Sequence, residues 1–141
     1  MEINKHIVSE LESIAKKVYS GDPKSCRRLR PNVDARIAIF TILQKQHTHT
    51  AIGKFYGVDT STVSNLLKRH NSYFKTNISY RTKYELFQSV LNTDEIKKKL
   101  AVIAIKTEVN RLNLELYSVG FSTAEVLEFW RDNIIKTTVK K

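Results

Sequence analysis

"THTAIGKFYGVDTSTVSNLLKRHNSYF", residues 48–74, joins a short apolar-periodic segment to a longer one through a glycine and a run of hydroxyl side chains. Thr48 suits the N-cap of a short helix through Tyr56, with Ile52 and Phe55 facing inward. Gly57 supplies the stop, because glycine takes the left-handed conformation cheaply. Asp59 or Thr60 then caps a longer helix to about Phe74, with Val63, Leu66 and Leu67 toward a core. Helix over 48–56, turn over 57–59 and helix over 60–74 is the spacing of a helix-turn-helix. In that motif the first turn of the second helix enters the major groove of DNA, while the first helix crosses the backbone. Thr60, Ser61 and Thr62 therefore carry two readings. Helix capping alone selects such residues. Small hydroxyls can also bond base edges or phosphates, and a threonine methyl can meet that of thymine.

Outward from this segment the chain reads as all-α. It has four glycines, two prolines and no convincing period-two stretch. Ile3, Ile7, Leu11, Ile14 and Val18 share one face of a first helix, which "SGDPK" at 20–24 ends. A basic stretch, "KSCRRLRPN", closes on Arg30-Pro31, where the proline disfavours helix at the residue before it. A second helix is expected from about Val33 to Gln46 on Ile37, Phe40 or Ile39, and Leu43. A fifth, roughly 80–92, carries Tyr84, Phe87 and Leu91.

Charge separates the chain into parts. The 141 residues hold 24 Lys and Arg against 14 Asp and Glu, and residues 21–83 alone hold twelve of those bases against three acids. A surplus concentrated in under half the chain points that part toward a polyanion, nucleic acid before an anionic membrane. Arg27, Arg28 and Lys24 in the loop are expected phosphate or minor-groove contacts, with Lys54 and Lys68 flanking the groove and Thr48 and Asn65 beside it. Such contacts would bring affinity and salt sensitivity without sequence preference.

Residues 27–67 resemble the C-terminal DNA-binding domain of the bacterial replication initiator DnaA, a Trp-repressor-like helix-turn-helix. "RRLRPNVDARIAIFTIL", "HTAIGKFYG" and "GVDTSTV" stand where that family has a basic loop ending in Arg-Pro, a helix, a short helix and Gly-x-Asp-His-Thr-Thr-Val. The likeness extends more loosely from about Ile14 to Leu91. It implies that Arg30 is the loop arginine that reaches the minor groove. It also implies that Asp59, Ser61 and Thr62 read the major groove. Thr60 stands in place of the family's histidine, so a different donor pattern would face those base pairs. No Gly-x-x-x-x-Gly-Lys-[Ser/Thr] loop is present, so ATP hydrolysis is not expected.

The C-terminal third has its own pattern. Val102, Ile105, Val109, Leu112, Leu116 and Val119 are spaced three, four, three, four, three along one helix from about Asp94. Gly120 ends it, and "STAE" at 122–125 has the spacing of a capping box that opens a last helix with Val126, Trp130 and Ile134 on one side. The seam packs within the chain or pairs two copies, and the former is preferred. Adjacent Phe129 and Trp130 leave apolar surface for a protein partner.

Other chemistry is poorly supported. His47 and His49 are two apart without the three or four converging ligands that a metal needs. No Ser-His-Asp or paired-carboxylate arrangement is recognisable. The lone Cys26 forms no intrachain disulfide, which fits a reducing compartment, and no apolar run reaches membrane-spanning length. The expectation is thus a cytoplasmic, non-enzymatic, all-α protein without cofactor or metal. Residues 1–92 would form the helix-turn-helix domain and 93–141 a helical extension. Double-stranded DNA is the expected partner, in transcriptional regulation or as an accessory factor at a bacterial or phage replication origin. Two alternatives stand beside it: a protein-interaction module that antagonises a DNA-binding partner, and the reading head of a transposase or recombinase.

Overall fold

A computed structural model describes residues 3–25 and 27–132. Cys26 and Ile134 lie outside the described residues. The fold is all-α: α1 Lys5–Tyr19, α2 Arg30–Leu43, α3 His49–Tyr56, α4 Thr60–Thr76, α5 Ile78–Leu91, α6 Asp94–Ser118 and α7 Thr123–Trp130. No strand occurs among the described residues. The chain divides into two compact units, Met1–Ala101 and Val102–Lys141, so the boundary falls inside α6 and not at residue 92.

In the first unit α2 is the central helix. Ala35, Ile37, Ala38, Ile39 and Phe40 are fully buried, which leaves α2 apolar nearly all round rather than on one stripe. A helix of that kind must be enclosed. Accordingly α1 and α4 pack on it, and α5 closes against both α1 and α4. The sequence places the start of α2 three residues late. Leu29 is the N-cap and Pro31 lies in the first turn, where its missing N–H has no intrahelical acceptor to lose. The helix also ends earlier, at Leu43.

Local signals set α3 and its exit. The Thr48 side chain accepts from the Ala51 N–H at 3.1 Å. Gly57 ends the helix at φ 69°, a left-handed conformation costly to any residue with a Cβ. Ile52 is buried, but Phe55 is 39% exposed, so the inward stripe expected of α3 is narrower. Its place on the core is taken by Tyr56, whose ring meets Phe40 at 5.1 Å between centroids.

An aromatic cluster joins α1, α4 and α5. Tyr19, Tyr80 and Phe87 are buried within it, and Tyr80 and Tyr84 stack at 6.2 Å. Leu91, expected in the core, is only half-buried. His70 lies in the same cluster, with Nδ1 2.7 Å from the Tyr80 hydroxyl. Burial holds its pKa below the ordinary histidine value. The unfolded chain therefore binds the proton more tightly, and the contribution of neutral His70 is complete above about pH 6.5 and is lost as pH falls below it. Urea melts of the wild type between pH 7.5 and 5 should show falling stability, with a shallower fall in His70→Phe.

The second unit contains the rest of α6, and α7. Gly120 ends α6. Ser122 and Glu125 then form the expected capping box, with both reciprocal bonds present. Val126 is buried, and the Trp130 Nε1–H donates to Asn113 Oδ1 at 2.6 Å. The preferred packing of the seam within the chain is only partly realised. Val109, Leu112 and Leu116 are half-buried, whereas Val102, Ile105 and Val119 are exposed.

Candidate nucleic-acid interface

The loop between α1 and α2 is fastened from α2. Gly21 is buried against the first turn of that helix. Asn32 accepts from the Asp22 N–H at 2.7 Å and donates to the Arg27 carbonyl at 3.4 Å. Arg36 donates to the carbonyls of Pro23 at 2.9 Å and Ser25 at 3.2 Å. Lys24 reaches Glu12 at 3.4 Å, and the same carboxylate accepts from the Tyr56 hydroxyl at 2.9 Å. Burial, and then the carboxylate beside it, push the Tyr56 pKa up. These bonds tie the loop to α1, α2 and the end of α3.

Between this loop and α4 runs a groove of about 610 Å³. Lys24, Arg27, Arg28, Arg36 and Arg69 line it, and no carboxylate among the described residues does. Arg27, Arg28 and Arg69 have no acidic partner among the described residues. From α4 the lining takes Leu66 and the polar Thr62, Asn65 and Arg69. The spacing of the polar three, three and then four, sets them on one helical face. His49 Nδ1, 2.9 Å from Ser64 Oγ, holds α3 onto the same helix.

The first turn of α4 answers the question raised by its hydroxyls. Asp59 occupies the N-cap position, yet its side chain makes no capping bond. Asn4, Thr48, Asn77 and Ser122 do make such bonds at α1, α3, α5 and α7. Asp59, Thr60, Ser61 and Thr62 are all exposed. Capping therefore does not occupy them.

Of the expected contact residues, the groove brings together Lys24, Arg27, Arg28, Thr62 and Asn65. Asp59, Thr60, Ser61, Thr48, Lys54 and Lys68 are exposed but are not among its lining. Arg30 is placed differently. It is the first residue of α2 and not part of a free loop; its Nε donates to Asp34 Oδ1 at 2.8 Å, and its guanidinium lies 4.2 Å from the centre of the Tyr73 ring. Asp34 is buried, which pushes its carboxyl above the ordinary value against the pull of Arg30. Arg30→Ala should thus lower stability by about 1–3 kcal/mol, because it strands a buried carboxylate. A denaturant melt checks this, and Asp34→Asn on the same background should restore part of the loss.

Arg36 and Arg69 were not singled out from the sequence. For Arg69 a signal existed, since it lies four residues beyond Asn65 and seven beyond Thr62 on one face. For Arg36 none did, because its role depends on carbonyls brought back by the loop.

Among the described residues no three His, Cys, Asp or Glu side chains converge as a metal site, and no helix is long and apolar enough to cross a membrane. Comparison with known proteins found no matching family model, no matching curated protein and no matching solved structure.

Proposed function

We propose that this chain is a sequence-specific double-stranded DNA-binding protein, acting in the cytoplasm as a transcriptional regulator or replication-origin accessory factor. It acts by binding, without catalysis or a cofactor. The carrying observation is the carboxylate-free cationic groove in which Arg27 and Arg28 of the loop meet Thr62, Asn65 and Arg69 of α4. Cations of that density suit phosphates, while asparagine and arginine are the side chains that pair bidentately with adenine and guanine edges. The uncapped first turn of α4 adds open N–H groups and exposed hydroxyls at the end that a recognition helix directs toward bases. The resemblance of residues 27–67 to the DnaA C-terminal domain agrees with this reading and supplies its helix-turn-helix frame.

Selection of bound duplexes from a random pool is the direct test. The wild type should enrich one motif. Ser61→Ala should enrich a shifted motif at unchanged melting temperature, with about 1–3 kcal/mol of discrimination lost at one base pair. Enrichment of no motif would reduce the proposal to nonspecific binding. Absence of duplex binding would overturn it and favour the protein-interaction alternative.

A further inference from the structure

The groove between the basic loop and α4 has an apolar floor beneath its cations. Arg27, Arg28 and Arg69 are exposed and form its rim. Below them lie Val33 of α2, Tyr56 at the end of α3, Val58 in the turn and Leu66 of α4. The first three are half-buried and Leu66 is buried. The phosphates of a duplex meet such a rim but make no use of the floor. Duplex bases have their apolar faces stacked on one another, and only their edges reach a protein. The floor fits a ligand that carries a flat apolar face and several negative charges on one small body.

Size and rigidity agree with such a ligand. The groove holds about 610 Å³, within the range of about 300–1,000 Å³ of sites for small molecules, which join apolar walls to a few converging polar groups. The Tyr56 ring rests against Phe40, and its hydroxyl donates to Glu12 at 2.9 Å, so this part of the floor is set in advance. The loop that carries Arg27 and Arg28 is held by Asn32 and Arg36. A site formed before contact needs little further ordering. Asn65, exposed beside the floor, offers both a donor and an acceptor to the edge of a base.

We propose that this groove binds a free nucleoside polyphosphate, with the base on the apolar floor and the phosphates on Arg27, Arg28 and Arg69. Occupied in this way the groove is closed to DNA, so the nucleotide inhibits duplex binding; that consequence alone rests on the groove being the DNA contact. Calorimetric titration of the full chain, without DNA, compares ATP, GTP and inorganic tripolyphosphate at one salt concentration. At least one nucleotide should bind roughly tenfold more tightly than tripolyphosphate, which has at least as much charge but no base to bury. Arg28→Ala with Arg69→Ala should weaken nucleotide and tripolyphosphate alike, roughly tenfold or more. Val58→Thr keeps the shape of the floor and adds a hydroxyl to it. It should weaken the nucleotide about fivefold and leave tripolyphosphate and the thermal melt unchanged. Failure of both nucleotides to bind would overturn the proposal and leave the DNA reading untouched. Equal affinity for tripolyphosphate would also overturn it, reducing the groove to a trap for any anion. A nucleotide that binds without displacing a bound duplex would support the site and remove the duplex from the groove.

Discussion

Simultaneous replacement of Arg27, Arg28 and Arg69 by alanine should weaken binding to duplex DNA roughly a hundredfold near 0.1 M salt, or about 2.7 kcal/mol. All three are exposed, line one groove and lack an acidic partner among the described residues. Their removal therefore takes little from the fold. The salt dependence separates this prediction from a general loss of folding. Each cation withdrawn from a phosphate releases about 0.9 fewer counterions, so the plot of log affinity against log salt should flatten by about 2.7. Fluorescence anisotropy at four salt concentrations measures both quantities, with a thermal melt as the folding control. Lys97 and Lys98, exposed on α6 and not among the groove lining, provide a comparison that removes two positive charges elsewhere. Their double alanine variant should bind within twofold of the wild type. An unchanged slope in the triple variant would remove the groove from the DNA contact.

Gly21→Ala should be the most damaging single change, with a loss of about 2–3 kcal/mol and a fall in melting temperature of about 10–20 °C. A Cβ at this position would stand 2.3 Å from the Pro31 carbonyl carbon and 2.5 Å from its oxygen, and 2.6 Å from the Asn32 nitrogen. All three atoms are backbone in the first turn of the central helix, so no side chain can swing aside. Relief would have to come from moving α2 away from the end of α1. That shift also pulls Asn32 from Asp22 and loosens the basic loop, so duplex affinity should fall with stability. Gly57→Ala is the contrasting case. Nothing lies within 4 Å of its added Cβ, and only the φ of 69° resists substitution. It should cost about 1 kcal/mol. Similar melting temperatures for the two variants would contradict the steric account of Gly21.

What could be read from the sequence was mostly what is decided within one or two turns. Thr48 as a cap, Gly57 as a stop and the Ser122–Glu125 box need only neighbours along the chain, and each is present. The seven-helix order and the core role of Val63, Leu66 and Leu67 follow from periodicity. The errors arose where distance along the chain ceased to measure distance in space. Pro31 looked like a barrier to helix, yet in a first turn it is harmless, and α2 begins one residue before it. Phe55 fitted the apolar stripe, but Tyr56 fills the place beside Phe40. Arg30 looked like a free loop arginine because Asp34 and Tyr73 were not visible as its partners. The groove itself joins residues up to 45 positions apart, Lys24 to Arg69. No local pattern announces that meeting.

The fastening of the basic loop by Asn32 and Arg36 has a consequence for how a partner is met. A segment whose carbonyls are already held needs little further ordering on contact, so association through it should proceed close to rigid-body docking. Calorimetry of the complex should then show only the small heat-capacity change of a limited buried area, without the large change that accompanies coupled folding. Encounter rates governed by long-range attraction should follow from the same readiness.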